Sequence, residues 1–234
     1  MQAVILAGGE GLRLKPLTQS IPKPMIPIAG KPFLEHLINL LRRNSVDEIV
    51  ICTGYRGEVI SSYFGNGESF GVRIRYSDDG DQLLGTAGSL KNAALLLNER
   101  FFITFADAYP IIDYKDAWTQ FVTRRKLVLM VVYRNLNHFG ESNTVVQKGL
   151  VTCYSKKIRT KGMEYIEVGV TFIEKRALEM IPASYPADLE TLYSKVIAKN
   201  QMVAFEVQQR NYDIGTLDRL TEFRELVEKG HIKL

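Results

Sequence analysis

Short apolar runs alternating with amphipathic stretches constrain this chain more than any other feature. Gln2–Leu6, Glu48–Cys52, Val72–Tyr76 and Phe101–Phe105 read as strands, and Phe33–Arg43, Glu58–Phe64 and Gly88–Leu97 lie between them with helical spacing. In Phe33–Arg43 the apolar positions are 33, 34, 37, 38, 40 and 41, which fall on one side of a helix. Strands that are apolar at consecutive positions must be covered on both faces, and crossover helices supply that cover while making neighbouring strands parallel. The spacing therefore predicts an α/β fold built on a doubly wound, mostly parallel sheet in three layers, α/β/α.

From Leu127 the pattern changes. Leu127–Tyr133, Val145–Gln147, Val151–Tyr154 and Glu167–Phe172 follow one another as strands, with few helical stretches before Ala187–Asn200. A mixed or antiparallel portion added to the same sheet accounts for this. Val203–Gln208 reads as a last strand, and Leu217–Lys229 as a closing helix with Gly230 just past its end. No repeat, low-complexity tract or Pro/Gly/Ser linker marks a boundary. The expectation is one domain over 1–234, with parts 1–125 and 126–234 that do not stand alone.

Composition narrows the function. The formal net charge is +4, and basic residues occur only in short groups such as Arg42-Arg43 and Lys156-Lys157, too dispersed for the concentrated basic face that nucleic acid requires. A small polyanion needs only a few well-placed cations. No apolar run approaches the ~20 residues that span a bilayer, and no charged segment precedes an apolar signal region, so a cytoplasmic protein without membrane association is expected. Cys52 and Cys153 sit in apolar strand-like stretches and read as buried reduced thiols, while His36, His138 and His231 are scattered, which argues against a transition-metal site.

Gly8, Gly9 and Gly11 follow the first strand and immediately precede Arg13 and Lys15. A dinucleotide fingerprint would place a third glycine where Leu14 stands, and Pro16 breaks any helix that such a motif would open. The Walker pattern has no match either. What remains is a long loop, stiffened by Pro22, Pro24 and Pro27, in which backbone amides stand beside Arg13, Lys15 and Lys23. Glycines allow close approach, amides bind oxygens and cations absorb charge, a combination suited to a triphosphate.

The stretch LAGGEGLRLKPLT from Leu6 to Thr18, with IPKPMIPIAGKPFLE from Ile21 to Glu35, resembles the signature of the sugar-1-phosphate nucleotidyltransferases, the nucleotide-sugar pyrophosphorylases. The resemblance continues through Gly54-Tyr55, Leu84–Leu90, a strand ending at Asp107, and Tyr212–Thr216, and so covers the chain. It implies a Rossmann-like fold of the nucleotide-diphospho-sugar transferase type. It also implies attack by a sugar 1-phosphate oxygen on the α-phosphorus of a nucleoside triphosphate, with 1–125 serving the nucleotide and 126–234 the sugar phosphate.

By that resemblance Arg13 and Lys23 are the catalytic cations. Leu6, Ala7, Gly8, Gly9, Gly11, Gln82, Gly85, Thr86 and Ala87 contact the nucleotide, and Asp107 and Asp213 hold Mg2+. Asp107 also closes an apolar strand at a carboxyl edge, where ligands bind in such sheets, and Thr86 could equally cap its helix. Lys156 or Lys157 takes the sugar phosphate, while Glu167 and Gly169 contact the sugar. The expected partners are a nucleoside triphosphate and a sugar 1-phosphate, in a monomer or homodimer.

The chain departs from the pattern at Leu12, where a Thr or Ser is usual, and at Ala106, where the strand normally ends in Gly-Asp. The acidic residue that usually precedes the phosphate-binding lysine is also absent. Relatives of this length act on mannose, heptose, glucose or N-acetylmuramic acid 1-phosphates. General similarity favours guanylyl or uridylyl transfer, and a nucleotide-binding homologue without turnover is the alternative. No hexapeptide repeat follows, so a second acetyltransferase activity is not expected.

Overall fold

The structure is a computed structural model that describes residues 1–80, 82, 84–182 and 186–234. The chain divides into two compact units, the first comprising 1–82, 104–109 and 212–234, the second 83–103 and 110–211. The units thus alternate along the chain: 83–103 and 110–125 lie with 126–211, and the final segment lies with the first.

In the first unit the strands Gln2–Leu6, Glu48–Thr53 and Arg73–Asp78 pair in parallel, in register from Gln2 opposite Glu48 to Leu6 opposite Cys52 and from Glu48 opposite Arg73 to Thr53 opposite Asp78. Gln2–Leu6 is buried along its whole length, as the continuous apolar run requires. The helix Phe33–Arg43 buries Phe33, Leu34, Leu37, Ile38, Leu40 and Leu41, the face the spacing predicts. Phe33, Tyr109 and Phe223 pack edge to face, with centroids 5.3 to 6.2 Å apart, and tie the closing helix Leu217–Glu228 to that helix. Cys52 is fully buried, and burial, followed by the Asp79 charge, pushes its thiol up to about 12, so it is inert.

In the second unit the strands Val128–Arg134 and Tyr165–Glu174 pair antiparallel, while Val128–Arg134 and Met202–Val207 run parallel. Leu150–Tyr154 pairs antiparallel with both Met202–Val207 and Thr144–Gln147. The sheet is mixed, as the crowding of strands after Leu127 implies. Phe102, Tyr114, Phe121, Trp118 and Phe172 form its aromatic core. Gly169 takes a φ of +79° beside the register shift between Glu167 and Thr171, where the Tyr165–Glu174 strand bends.

The helix Tyr114–Arg124 is absent from the sequence reading, because its apolar positions are sparse. It is fixed locally: the Asp113 carboxylate accepts from the Asp116 amide at 2.9 Å and caps the first turn. Asp113→Ala is expected to lower stability by ~1 kcal/mol without altering the far-ultraviolet spectrum, measured by urea denaturation. Among the described residues no helix is long and apolar enough to cross a membrane.

Candidate active site

The loop after the first strand is built by its glycines. Gly11 sits at φ +66° and opens a short 3-10 turn over Leu12–Leu14, with Leu14 buried beneath it and the Thr18 hydroxyl donating to the Gly11 carbonyl at 3.0 Å. A methyl group at Gly11 would meet Thr18 and Lys23 at 3.1 and 3.2 Å, so the loop folds back on itself only because that position has no side chain. The amides of Gly9, Glu10, Gly11 and Leu12 find no acceptor among the described residues. Backbone amides without an internal acceptor are the donors that anion binding needs. The Ala7 amide, by contrast, is committed to the Cys52 carbonyl at 2.8 Å and the Leu6 carbonyl to the Ala106 amide, and both residues are buried.

Lys23 lies on a second short turn, Lys23–Met25, between Pro22 and Pro24, and its ammonium donates to Asp107 Oδ2 at 2.7 Å. Asp107 follows the strand Arg100–Phe105, and Ala106 between them is buried with its amide donating to the Leu6 carbonyl at 3.0 Å. Its methyl group therefore packs inside the protein. Next, Ala108–Tyr109 pairs antiparallel with Tyr212–Asp213, Asp213 opposite Ala108, and the Ile214 amide donates to the Asp107 carbonyl at 3.0 Å. This two-residue ribbon brings the two aspartates together across 106 positions of sequence. Asp213 thus lies on a strand itself.

Gly215 marks where the groups converge. A methyl group there would stand 2.9 Å from Asp213 Oδ1, 3.4 Å from Arg13 Nη2 and 3.7 Å from Asp107 Oδ2. The Gly215 amide donates to Asp213 Oδ1 at 2.9 Å, and Arg219, one turn into the closing helix, donates from Nη1 to Asp213 Oδ2 at 2.8 Å. Two carboxylates and the cations Arg13, Lys23 and Arg219 therefore gather in one unit around a space kept open by a glycine. Hard carboxylate oxygens facing a shared space are the donor set Mg2+ takes, one or two carboxylates being its usual protein share. Among the described residues no group of three or more His, Cys, Asp or Glu could hold a metal. Sequence reasoning missed Arg219; the signal was Thr216, whose hydroxyl caps the helix by accepting from the Arg219 amide at 3.4 Å and so fixes that residue in the first turn.

Gln82 is exposed, with its amide donating to the Asp79 carbonyl at 3.4 Å. In the second unit, the helix Gly85–Asn92 carries Gly85, Thr86 and Ala87, and its N-terminal amides at Ala87 and Gly88 donate to the Ala187 carbonyl at 2.8 and 3.0 Å. Thr86 does not cap its own helix, since its hydroxyl accepts from the Leu189 amide at 2.9 Å.

The remaining residues form a second cluster. Lys156 Nζ lies 2.6 Å from Glu167 Oε1, which also accepts from the Tyr154 hydroxyl at 2.7 Å, and the Glu167 amide donates to Asn143 Oδ1 at 3.2 Å. The Glu167 side chain is only 9% exposed. Burial, reinforced by the Glu167 charge, raises the Tyr154 hydroxyl well above its usual range, so it stays a donor. The Lys157 ammonium, by contrast, has no partner among the described residues.

The nucleotidyl transferase family model matches residues 2–230. Over 205 residues the chain is 31% identical to a UTP–glucose-1-phosphate uridylyltransferase of Synechocystis, covering 81% of this chain and 53% of that protein. It is 32% identical to a D-glycero-alpha-D-manno-heptose 1-phosphate guanylyltransferase of Campylobacter jejuni, covering 69% and 71%. The chain thus spans about half to seven tenths of the length of these relatives. Among solved structures, HddC from Yersinia pseudotuberculosis complexed with GMP-PN superposes with a TM-score of 0.79 at 25% identity, covering 97% of this chain and 99% of that one.

Proposed function

The chain belongs to the nucleotidyl transferase family, and from that premise we propose that it transfers a nucleotidyl group from a nucleoside triphosphate to a sugar 1-phosphate, releasing pyrophosphate. The observation that carries this is the convergence of Arg13, Asp107 and Asp213 on Gly215 beneath a loop of unused amides. A phosphate oxygen of the sugar 1-phosphate forms a bond to the α-phosphorus while the bond from the α-phosphorus to the bridging oxygen breaks. The electron pair leaves with pyrophosphate. The nucleophile is already an anion at neutral pH, so no general base is needed. The difficulty is to hold two polyanions in line.

The loop amides bind triphosphate oxygens, Arg13 stabilises the departing pyrophosphate, and Lys23, oriented by Asp107, stands toward the α-phosphate. Asp107 and Asp213 would hold Mg2+, which supplies charge neutralisation at the phosphates when bound. Lys157 rather than Lys156 takes the sugar phosphate, because the Lys156 ammonium is engaged by Glu167. Glu167, with Gly169 beside it, is left for sugar hydroxyls. Gly85, Thr86, Ala87 and Gln82 serve the nucleoside side. This reading carries with it the three-layer, mostly parallel arrangement, a cytoplasmic enzyme of nucleotide-sugar and polysaccharide synthesis, and guanylyl or uridylyl transfer.

A panel of nucleoside triphosphates and sugar 1-phosphates, followed by pyrophosphate release with Mg2+ present, tests it. GTP or UTP with mannose, heptose or glucose 1-phosphate is expected to give turnover at least a hundredfold above the other pairs. Triphosphate binding without pyrophosphate release for any pair would replace the enzyme by a nucleotide-binding homologue.

A further inference from the structure

A single short segment of the second unit, Ala187–Glu190, is tied at both ends to elements that carry proposed ligand contacts. On one side the Ala187 carbonyl accepts from the Ala87 and Gly88 amides, the Ala187 amide donates to the Leu84 carbonyl at 2.8 Å, and the Leu189 amide donates to Thr86. Gly85 permits this: a methyl group there would lie 2.6 Å from the Ala187 oxygen. On the other side Glu190 Oε1 accepts from the Ser155 hydroxyl at 2.7 Å, and Glu190 Oε2 from the Lys156 amide at 3.4 Å. The Ser155 oxygen in turn accepts from the Lys157 and Ile158 amides at 3.1 and 3.0 Å. That folds the backbone of 155–158 into a turn from which Lys157 projects.

We propose that Glu190 is a positioning residue that sets Lys157 through Ser155, and that Ala187–Glu190 links this setting to the loop 84–88, so that occupancy by the nucleoside triphosphate favours binding of the sugar phosphate. The proposal rests on the reading above, in which 85–87 meet the nucleotide and Lys157 the sugar phosphate. Its physical content is that Lys157 has no side-chain partner to orient it among the described residues. The backbone turn is therefore what aims it, and Glu190 holds the turn. Helix propensity gives Glu190 no comparable duty: it stands in the first turn of Leu189–Ala198, where an acidic residue is generally favourable, yet its carboxylate is spent on another loop.

The test uses the full chain with GTP and mannose 1-phosphate, and with UTP and glucose 1-phosphate. Glu190→Ala and Ser155→Ala are each expected to raise KM for the sugar 1-phosphate about tenfold, with kcat changed less than about threefold and the triphosphate Kd, measured by calorimetry without sugar phosphate, unchanged. The tightening of mannose 1-phosphate binding produced by a non-hydrolysable GTP analogue is expected to disappear in both. Glu190→Gln, whose amide oxygen still accepts from Ser155, is expected to restore the native KM. Should Glu190→Ala fail to fold, Ser155→Ala carries the measurement, since it removes the acceptor of the Lys157 and Ile158 amides directly. Native KM in Ser155→Ala, or equal loss toward both substrates, overturns the proposal while native turnover leaves the reading standing. Absence of turnover in the native chain with every pair overturns the reading itself.

Discussion

Asn at both Asp107 and Asp213 is expected to reduce kcat/KM at least about a thousandfold, or ~4 kcal/mol of transition-state stabilisation, while the chain still folds. Both carboxylates face the space at Gly215, and each is also held by a cation, Lys23 at 2.7 Å and Arg219 at 2.8 Å. The Asn amides preserve shape but not charge, and Asn at 213 keeps one acceptor oxygen where Asp213 accepts from both the Gly215 amide and Arg219. Loss of the two ion pairs should cost no more than ~1 kcal/mol each, because all four side chains retain solvent contact. The measurement is therefore a split between large kinetic loss and small change in unfolding temperature. Titration with Mg2+ adds a second readout: the native chain should bind the ion with the triphosphate, and the variant should need far more of it. Turnover within tenfold of native would remove these residues from the metal role. An Arg13→Ala chain should lose a comparable factor in kcat yet keep the native Mg2+ response, since Arg13 acts on the phosphates directly.

The elements were largely legible from sequence because their signals are local. Continuous burial shows as continuous apolar runs at Gln2–Leu6 and Glu48–Thr53, and a one-sided helix shows as the spacing in Phe33–Arg43. Charged residues that the structure brings together at the candidate site were also singled out from sequence, Arg13 and Lys23 from the glycine and proline loop and Asp107 from its place after a strand. What was not legible is pairing. The two-residue ribbon between Ala108–Tyr109 and Tyr212–Asp213 is too short to leave a periodic pattern, yet it is what joins the aspartates. Likewise the engagement of Lys156 by Glu167 depends on how the chain folds between the end of Leu150–Tyr154 and the strand Tyr165–Glu174, which leaves no periodic pattern in sequence. The hydrogen bonds of Ser155, Glu190 and Arg219 to partners elsewhere in the chain were hidden for the same reason.

The largest structural effect is expected at Gly85. A Cβ there would lie 2.6 Å from the Ala187 oxygen and 2.9 Å from its carbon and nitrogen, all backbone, at a φ of +74°. Ala187 cannot retreat without giving up its hydrogen bonds to Leu84, Ala87 and Gly88. The left-handed backbone costs a β-carbon ~1 kcal/mol, and losing two or three of those bonds costs ~1 kcal/mol each. Gly85→Ala should thus lose about 3 to 4 kcal/mol in urea denaturation. Gly30→Ala is the control: it has a similar φ of +81° and nothing within 4 Å of its Cβ, so only the conformational cost of ~1 kcal/mol should appear. Equal losses at the two positions would mean that close approach of Ala187 contributes nothing. Unequal losses give the glycine of the Leu84–Leu90 stretch a reason independent of any nucleotide: it admits the Ala187 backbone against the helix start, leaving the nucleoside contact to be judged by binding rather than by the presence of the motif.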